Sequence, residues 1–136
     1  MTGVTGSPPI RPPLPYEDAK AAIELLTEGL GFTATGVYEG EDGRVAHAEP
    51  SFGNGVVMLG GKGTGSAFDR AMAGAGPAGV FVRVDDVDEH HARAVAHGVE
   101  VPAPPADQEH GARDHLARDA ESDVWSFGTH APGPAE

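Results

Sequence analysis

The stretch that most constrains the fold runs from residue 79 to residue 98, where a strand pattern leads directly into a helix pattern. Two kinds of side chain alternate over its first six residues, which is the period of a strand whose two faces differ. Asp86 then stands where a helix N-cap belongs, with Glu89 three residues later and Gly98 after the last helical residue. One strand face is predicted to be core and the other to line a cavity. The first comprises Val80, Val82 and Val84, and the second comprises Gly79, Phe81 and Arg83.

The same pattern occurs once earlier in the chain. Leu14 to Tyr16 precedes Asp18, and apolar residues follow at helical spacing up to Leu30. Half of the 136-residue chain separates Asp18 from Asp86. The spacing therefore predicts two copies of one module rich in strands, each with one helix.

Composition limits the compartment and the partners. The chain has no cysteine, which excludes a disulfide framework and a thiolate metal site. Its 9 basic and 21 acidic residues give a formal net charge of −12, the wrong sign for binding nucleic acid. This charge favours cationic small molecules or simply solubility. No secretory signal is recognisable, and no stretch approaches the roughly 20 apolar residues of a membrane helix, so we expect a cytoplasmic protein.

Turn and breaker residues predict the organisation of the chain. Residues 1–9 are expected to be a disordered arm and residues 10–16 an edge strand, since three prolines remove backbone donors. In the first module we expect a helix over 18–30 and strands over 32–39, 44–51 and 56–59. In the second we expect strands over 99–101, 111–118 and 124–127, with a stiff connection over 102–105. The predicted units are 10–60 and 79–129, joined by a Gly/Ala-rich linker over 61–78 and followed by a tail over 130–136.

The run from Gly60 to Gly65 is superficially similar to a phosphate-binding loop. Gly63 follows Lys62, however, where that motif requires Ser or Thr, and no clear helix pattern follows. A flexible linker is the preferred interpretation.

Several ordered phrases resemble the glyoxalase/bleomycin-resistance/extradiol-dioxygenase family, the vicinal oxygen chelate superfamily, and within it the PhnB-like branch. They span about residues 10 to 129 and are Pro13 to Ala19, Gly43 to Glu49, Val84 to Val87, Gln108 to Arg113 and Arg118 to Gly128. The resemblance implies an α+β fold of two tandem βαβββ modules, whose mixed sheets form a U-shaped cup with the helices outside. It also implies a homodimer, with the cup completed within one chain or across the interface. Trp125 and Phe127 would then belong to the helix-side core, and Ser126 would face the cup.

Metal-dependent members of that superfamily place His, Gln or Glu at four related cup positions. In this chain the positions fall at or near Arg11, Glu49, Gly79 and Ser126, with His47 beside Glu49. One carboxylate and one imidazole on a single strand hold a divalent ion poorly. We therefore predict no metal and no other cofactor, with a divalent metal as the alternative.

His47 and Glu49 are the candidate catalytic residues. His47 has a second interpretation as a partly buried strand histidine, and Glu49 as a solvated strand end. The predicted ligand-binding residues are Arg11, His47, Glu49, Met58, Phe81, Arg83, Arg113 and Ser126.

Other charged residues have alternative roles. Arg83 would need an internal carboxylate such as Glu49 or an anionic ligand group. Arg113 would reach the cavity mouth or brace Asp119. The adjacent His90 and His91 diverge on their helix and are expected at the surface and the helix seam, without forming a metal pair.

Three functions remain open. The leading hypothesis is a small-molecule-binding protein that sequesters an organic ligand in the cup without a catalytic metal, as in resistance to antibiotics. The alternative is an enzyme of the same superfamily, either a metal-dependent lyase, isomerase or dioxygenase or one that uses His47 and Glu49 for acid-base chemistry. The third is an interaction module whose cup is filled by its own side chains.

Overall fold

The computed structural model of the chain describes residues 8–131, apart from the side chain of His110. It divides into two compact units, Met1–Pro77 and Ala78–Glu136. The predicted arm and tail lie mostly outside the described residues. No helix in residues 8–131 is long and apolar enough to cross a membrane.

The described part of the first unit contains six strands and two α-helices. Its elements are β1 (Pro13–Tyr16), α1 (Ala19–Glu24), β2 (Tyr38–Glu39), β3 (Val45–Ala48), β4 (Ser51–Phe52), β5 (Gly55–Val56), β6 (Met58–Gly61) and α2 (Ala67–Ala71). Four of the strands form a mixed sheet with the order β1-β6-β3-β2. β1 pairs with β6 in parallel, whereas the other two pairings are antiparallel, and β4 and β5 form a separate small hairpin.

Helix α1 covers one face of this sheet. Asp18 caps it, since its carboxylate accepts the N–H of Ala21 at 3.0 Å, and the predicted helix continues as a π-helical turn over Leu25–Gly29. Its apolar stripe and the inward side chains of the strands are nearly free of solvent exposure. They include Leu14, Tyr16, Ala22, Leu26, Leu30, Ala48 and Leu59. Burial of these apolar groups holds α1 on the sheet.

The second unit repeats the plan of the first. Its elements are β7 (Gly79–Arg83), α3 (Val87–Ala96), β8 (Glu100–Asp107), a 3₁₀ turn (Glu109–Gly111), β9 (Arg113–Arg118) and β10 (Val124–Gly128). The strands form one sheet with the order β7-β10-β9-β8. β7 and β10 are parallel, and the other pairings are antiparallel. The two predicted βαβββ modules with mixed sheets are thereby confirmed, although the first unit also contains the β4-β5 hairpin and α2.

The core of the second unit lies under α3. Trp125 and Phe127 have no solvent exposure, which confirms their predicted place on the helix side of β10. The carboxylate of the buried Asp119 accepts the indole N–H of Trp125 at 3.1 Å. Asp86 caps α3 as predicted, because its carboxylate accepts the N–H of Glu89.

Three local predictions are wrong. The region 102–105 is not a separate connection, because β8 runs through Pro102, Pro104 and Pro105 as the edge strand of its sheet, where missing backbone donors are tolerated. The strand expected over 32–39 shrinks to β2 and one bridge from Thr33 to Ser51. The stretch expected as a linker contains the short helix α2.

Candidate functional site

The face of the first sheet opposite α1 carries a pocket of about 330 Å³. Its side chains come from alternate positions of β1 and β6, whose other positions point into the core under α1. Phe68 of α2 contributes a wall and is 46% exposed. The residues that shape the pocket include Pro13, Pro15, His47, Met58, Gly60 and Phe68. The pocket is therefore mostly apolar, with one imidazole in its lining.

His47 and Glu49 lie next to each other, as the residues predict. Nε2 of His47 is 2.9 Å from Oε2 of Glu49, and both side chains are a little over one-third exposed. Thr35 holds the backbone of Glu49, because the N–H of Glu49 donates to the Thr35 carbonyl and the Thr35 hydroxyl donates to the Glu49 carbonyl. An imidazole fixed by a carboxylate can accept or donate a proton at its remaining nitrogen. Whether the pair is catalytic stays a prediction.

Two other predicted residues of the first unit have different surroundings. Met58 lines the pocket. Arg11 does not line it, and its Nε donates to the carbonyl of Pro8 at 2.9 Å. The assignment of Arg11 as a ligand-binding residue thus has no support from the pocket's lining.

In the part of the chain that the structure describes, the donors for a divalent metal do not come together in one site. Within residues 8–131 no group of three or more His, Asp or Glu side chains is arranged to hold a metal ion. A catalytic divalent ion of the zinc type uses three protein ligands and one open position. His47 and Glu49 supply two donors, and the hydrogen bond between them occupies one atom of each. The residues present therefore do not fit the metal that the family implies.

The predicted residues Phe81, Arg83 and Ser126 lie on the face of the second sheet opposite α3. Phe81 pairs with Ser126 across β7 and β10, and this face is more exposed than the valine face. The Arg83 guanidinium is 2.7 Å from the carboxylate of Asp85, so a carboxylate two residues away in the chain is its partner. The ring of Phe81 also lies close to Gly128, where an added Cβ would be 3.2 Å from Cε2.

Arg113 joins three elements of the second unit. Its guanidinium makes two hydrogen bonds to Asp88 of α3, at 2.8 and 3.0 Å, and one to Asp107 of β8 at 3.1 Å. These bonds raise the pKa of Arg113, and the bond from Arg113 lowers the pKa of Asp88. The expectation that Arg113 braces Asp119 is wrong. Two carboxylates already neutralise this cation, which leaves little of it for a ligand.

Sequence reasoning missed a histidine cluster between α3 and β9. His115 is fully buried, its Nε2 is 2.8 Å from Nδ1 of His90, and the ring of His91 lies 5.3 Å away. Nδ1 of His115 has no hydrogen-bond partner among the described residues. Burial first, and then the neighbouring His90 and His91, lower the pKa of His115 to about 4. The alternation of β9 with the buried Ala117 was the signal that could have placed His115 in the core.

The glycine-rich loop after β6 does not offer free amides to a phosphate. The carboxylate of Asp69 accepts the N–H of Gly63 at 2.9 Å and of Gly65 at 3.0 Å, and these bonds lower the pKa of Asp69. A five-residue helix does open here, capped by Ser66, but the protein's own carboxylate occupies the anion position. The rejection of the phosphate loop therefore has a structural reason.

These features define an α+β protein of two βαβββ modules, the first of which has an apolar pocket on the face of its sheet opposite α1. The sequence profile of the Glyoxalase/Bleomycin resistance protein/Dioxygenase superfamily matches residues 10–125, and the chain belongs to this superfamily. The predicted family and fold class are thus confirmed, while the PhnB-like branch stays a prediction. The comparison with curated protein sequences gives no match.

Solved structures show the same fold. TioX from Micromonospora sp. ML1 is 33% identical, with a TM-score of 0.76 over 88% of this chain and 95% of that chain. TnmS3, an antibiotic binding protein from Streptomyces sp. CB03234, is 21% identical, with a TM-score of 0.65 over 93% and 97%. A superfamily member from Sphaerobacter thermophilus DSM 20745 is 17% identical, with a TM-score of 0.68 over 92% and 97%.

Proposed function

We propose that the chain binds an organic small molecule of the antibiotic class in the pocket on its first sheet, without a catalytic metal. The observation that carries the proposal is the pocket itself. Its volume of about 330 Å³ lies at the lower end of the range for ligand sites, and its lining combines apolar walls with one oriented polar group, His47. That combination is typical of sites in which burial supplies affinity and a polar group sets orientation.

Two further observations support the class of ligand. TnmS3, which has the same fold, is an antibiotic binding protein. The formal net charge of −12 attracts cationic molecules through the long-range field. We therefore expect an organic cation with a large apolar part. The homodimer that the family resemblance implies stays a prediction.

A second pocket of about 410 Å³ fits the proposal less well. Three basic residues and three acidic residues line it, so its charges balance one another. They are Lys20, Arg44 and Lys62, and Glu17, Asp18 and Asp42. The Arg44 guanidinium already donates to the carbonyl of Glu17, and the Arg44 N–H to the Asp42 carboxylate. The smaller pocket has much less polar surface in its lining, which suits the apolar part of an organic ligand better.

The test is to add bleomycin to the wild-type chain and to measure its binding by calorimetry and by thermal unfolding. Binding to the folded state raises the free energy of unfolding by about 2.7 kcal/mol at a ligand concentration of 100 Kd. Phe68→Ala, which removes a pocket wall, should weaken binding about tenfold, or about 1.4 kcal/mol. Val95→Ala, at an exposed apolar side chain of α3 outside the pocket, is the matched control. No stabilisation by bleomycin, or equal losses in the two variants, would contradict the proposal.

The His47–Glu49 pair favours a second candidate, an enzyme that uses acid-base chemistry in the same pocket. Its discriminating property is turnover, because a sequestering protein returns its ligand unchanged. Mass spectrometry of the bleomycin recovered after long incubation separates the two functions. A new product that forms with the wild type and not with His47→Ala would establish the enzyme, whereas unchanged ligand would support binding alone.

A further inference from the structure

Four residues lie side by side across the first sheet, one on each strand. Pro15 of β1 pairs with Gly60 of β6, Gly60 pairs with His47 of β3, and His47 pairs with Tyr38 of β2. Three of the four carry rings. The row therefore has one position without a side chain, and that position lies between two ring-bearing neighbours.

At one end of this row, two rings are already stacked. The rings of Tyr38 and His47 are 6.1 Å apart between centroids with an interplanar angle of 25°. The hydrogen bond from His47 to Glu49 fixes the imidazole in this orientation. Its opposite face is directed along the row toward Gly60, because Tyr38 occupies the other side. A stacking surface is thus presented to the pocket.

The dimensions of the sheet suit one more ring at Gly60. Adjacent strands lie about 4.8 Å apart, so a ring standing on Gly60 would be about 4.8 Å from His47 and about as far from Pro15. Stacked ring pairs in proteins have centroids about 4.5 to 7 Å apart. One planar group therefore fits between His47 and Pro15 in the spacing that the sheet already sets.

Nothing in the backbone requires glycine at residue 60. It is absent from the glycines with positive φ, and its pairing with β1 and β3 is regular. Among the described residues other than its two chain neighbours, the atom nearest to an added Cβ would be the Ala46 carbonyl oxygen at 3.9 Å. Glycine inside a strand weakens the strand, and it often marks a place where a ligand approaches closely. The open space above Gly60 belongs to the pocket that His47 and Phe68 line.

We propose that the ligand inserts a planar conjugated ring above Gly60, stacked between His47 and Pro15, and that Gly60 is the residue that selects for this ring. The inference rests on the proposed function, since it places the ligand in the same pocket, and it adds the chemical class of the bound group. The ring completes the row begun by Tyr38 and His47. A compact, non-planar group of similar size and charge does not fit the gap in the same way.

The experiment compares two cationic probes by isothermal titration calorimetry, planar 9-aminoacridine and compact 1-aminoadamantane. The wild type is expected to bind the acridine at least tenfold more tightly. Gly60→Val fills the gap and should abolish that preference, and Gly60→Ala should reduce it in part. Gly76→Val is the matched control, because it adds the same side chain at an exposed glycine that has open space around it and no positive φ. Thermal unfolding checks that Gly60→Val is at least as stable as the wild type.

The outcomes separate this inference from the proposed function. Loss of acridine binding in Gly60→Val with an unchanged melting temperature, and wild-type binding in Gly76→Val, support the ring at Gly60. Equal affinity for the two probes would contradict the proposed planar ring above Gly60, and so would acridine binding that survives Gly60→Val. In both cases the bleomycin titration can still succeed, so the proposed function would stand. Failure of the wild type to bind either probe also overturns the ring. Failure with bleomycin as well overturns both the ring and the proposed function.

Discussion

The fully buried His115 should make the protein lose stability in mild acid. In the folded state its ring has His90 and His91 of α3 on one side, Phe127 of β10 at 5.5 Å, and the carboxylates of Asp114 and Asp88 nearby. Burial dominates these influences and lowers the pKa of His115 from 6.5 to about 4. Protonation would place a charge in the core, where the attraction of these two carboxylates does not offset the cost of burial.

The sign and the size follow from this pKa. Because the folded state holds His115 neutral, the unfolded chain binds more protons between pH 6.5 and about pH 4. The free energy of unfolding therefore has its full value above pH 6.5 and falls as the pH drops through this window. The contribution of His115 to that loss is about 2 kcal/mol between about pH 7.5 and about pH 5.

Urea unfolding followed by tryptophan fluorescence measures this loss. Trp125 is the one tryptophan of the chain and has no solvent exposure in the folded state, so its emission reports unfolding of the second unit. His115→Phe keeps a flat ring against Phe127 and removes the titrating group. The variant should lose about 2 kcal/mol less than the wild type between the two pH values.

His97→Gln is the matched control, because it removes an exposed histidine at the end of the same helix. We expect it to keep the wild-type dependence on pH. If His115→Phe and the wild type lose the same free energy on acidification, the burial argument fails. Asp88, whose pKa is lowered by Arg113, contributes its loss at a lower pH and does not confuse the comparison.

Three further substitutions test the packing of the second unit by the same unfolding assay. Gly128→Ala should lower the free energy of unfolding by about 1 to 3 kcal/mol, because the added Cβ would lie 2.8 Å from Cβ of Asp114. A variant as stable as the wild type would show that β9 and β10 move apart at this point without cost. Asp119→Ala removes the acceptor of the Trp125 indole and of two backbone N–H groups and should cost about 3 kcal/mol; a loss below about 1 kcal/mol would refute that accounting. Asp86→Ala removes the cap of α3 and should cost about 1 kcal/mol, whereas Asp86→Asn should retain most of the stability.

Much of the fold could be predicted because its signals are local. Asp18 and Asp86 cap helices whose apolar spacing is visible in the chain, and alternation placed Trp125 and Phe127 on the buried side of β10. The proline run after residue 101 does not by itself reveal strand β8, because whether a proline interrupts a strand depends on whether that strand is at an edge. That property belongs to the whole sheet and has no local signature.

The candidate site was predicted only in part. His47 and Glu49 are two residues apart on one strand, so their contact follows from alternation. The contact of Arg83 with Asp85 has the same two-residue spacing, whereas the partner of Arg113 was not predictable in this way. Arg113 reaches Asp88, which is 25 residues away in the chain, and this pairing depends on how α3 lies on β9. The buried contact of His115 with His90 has the same origin.

The amino-acid sequence by itself determined two modules, their helix starts and which side chains of a strand share a face, because these properties depend on residues within a turn or two of one another. The tertiary structure decided which distant residues become neighbours. The register of β1, β6, β3 and β2 aligns Pro15, Gly60, His47 and Tyr38 in one row, and a slip of one residue would turn each strand's side chains to the other face. Long-range backbone pairing sets that register, so the pocket and the open position at Gly60 between His47 and Pro15 exist only in the folded sheet.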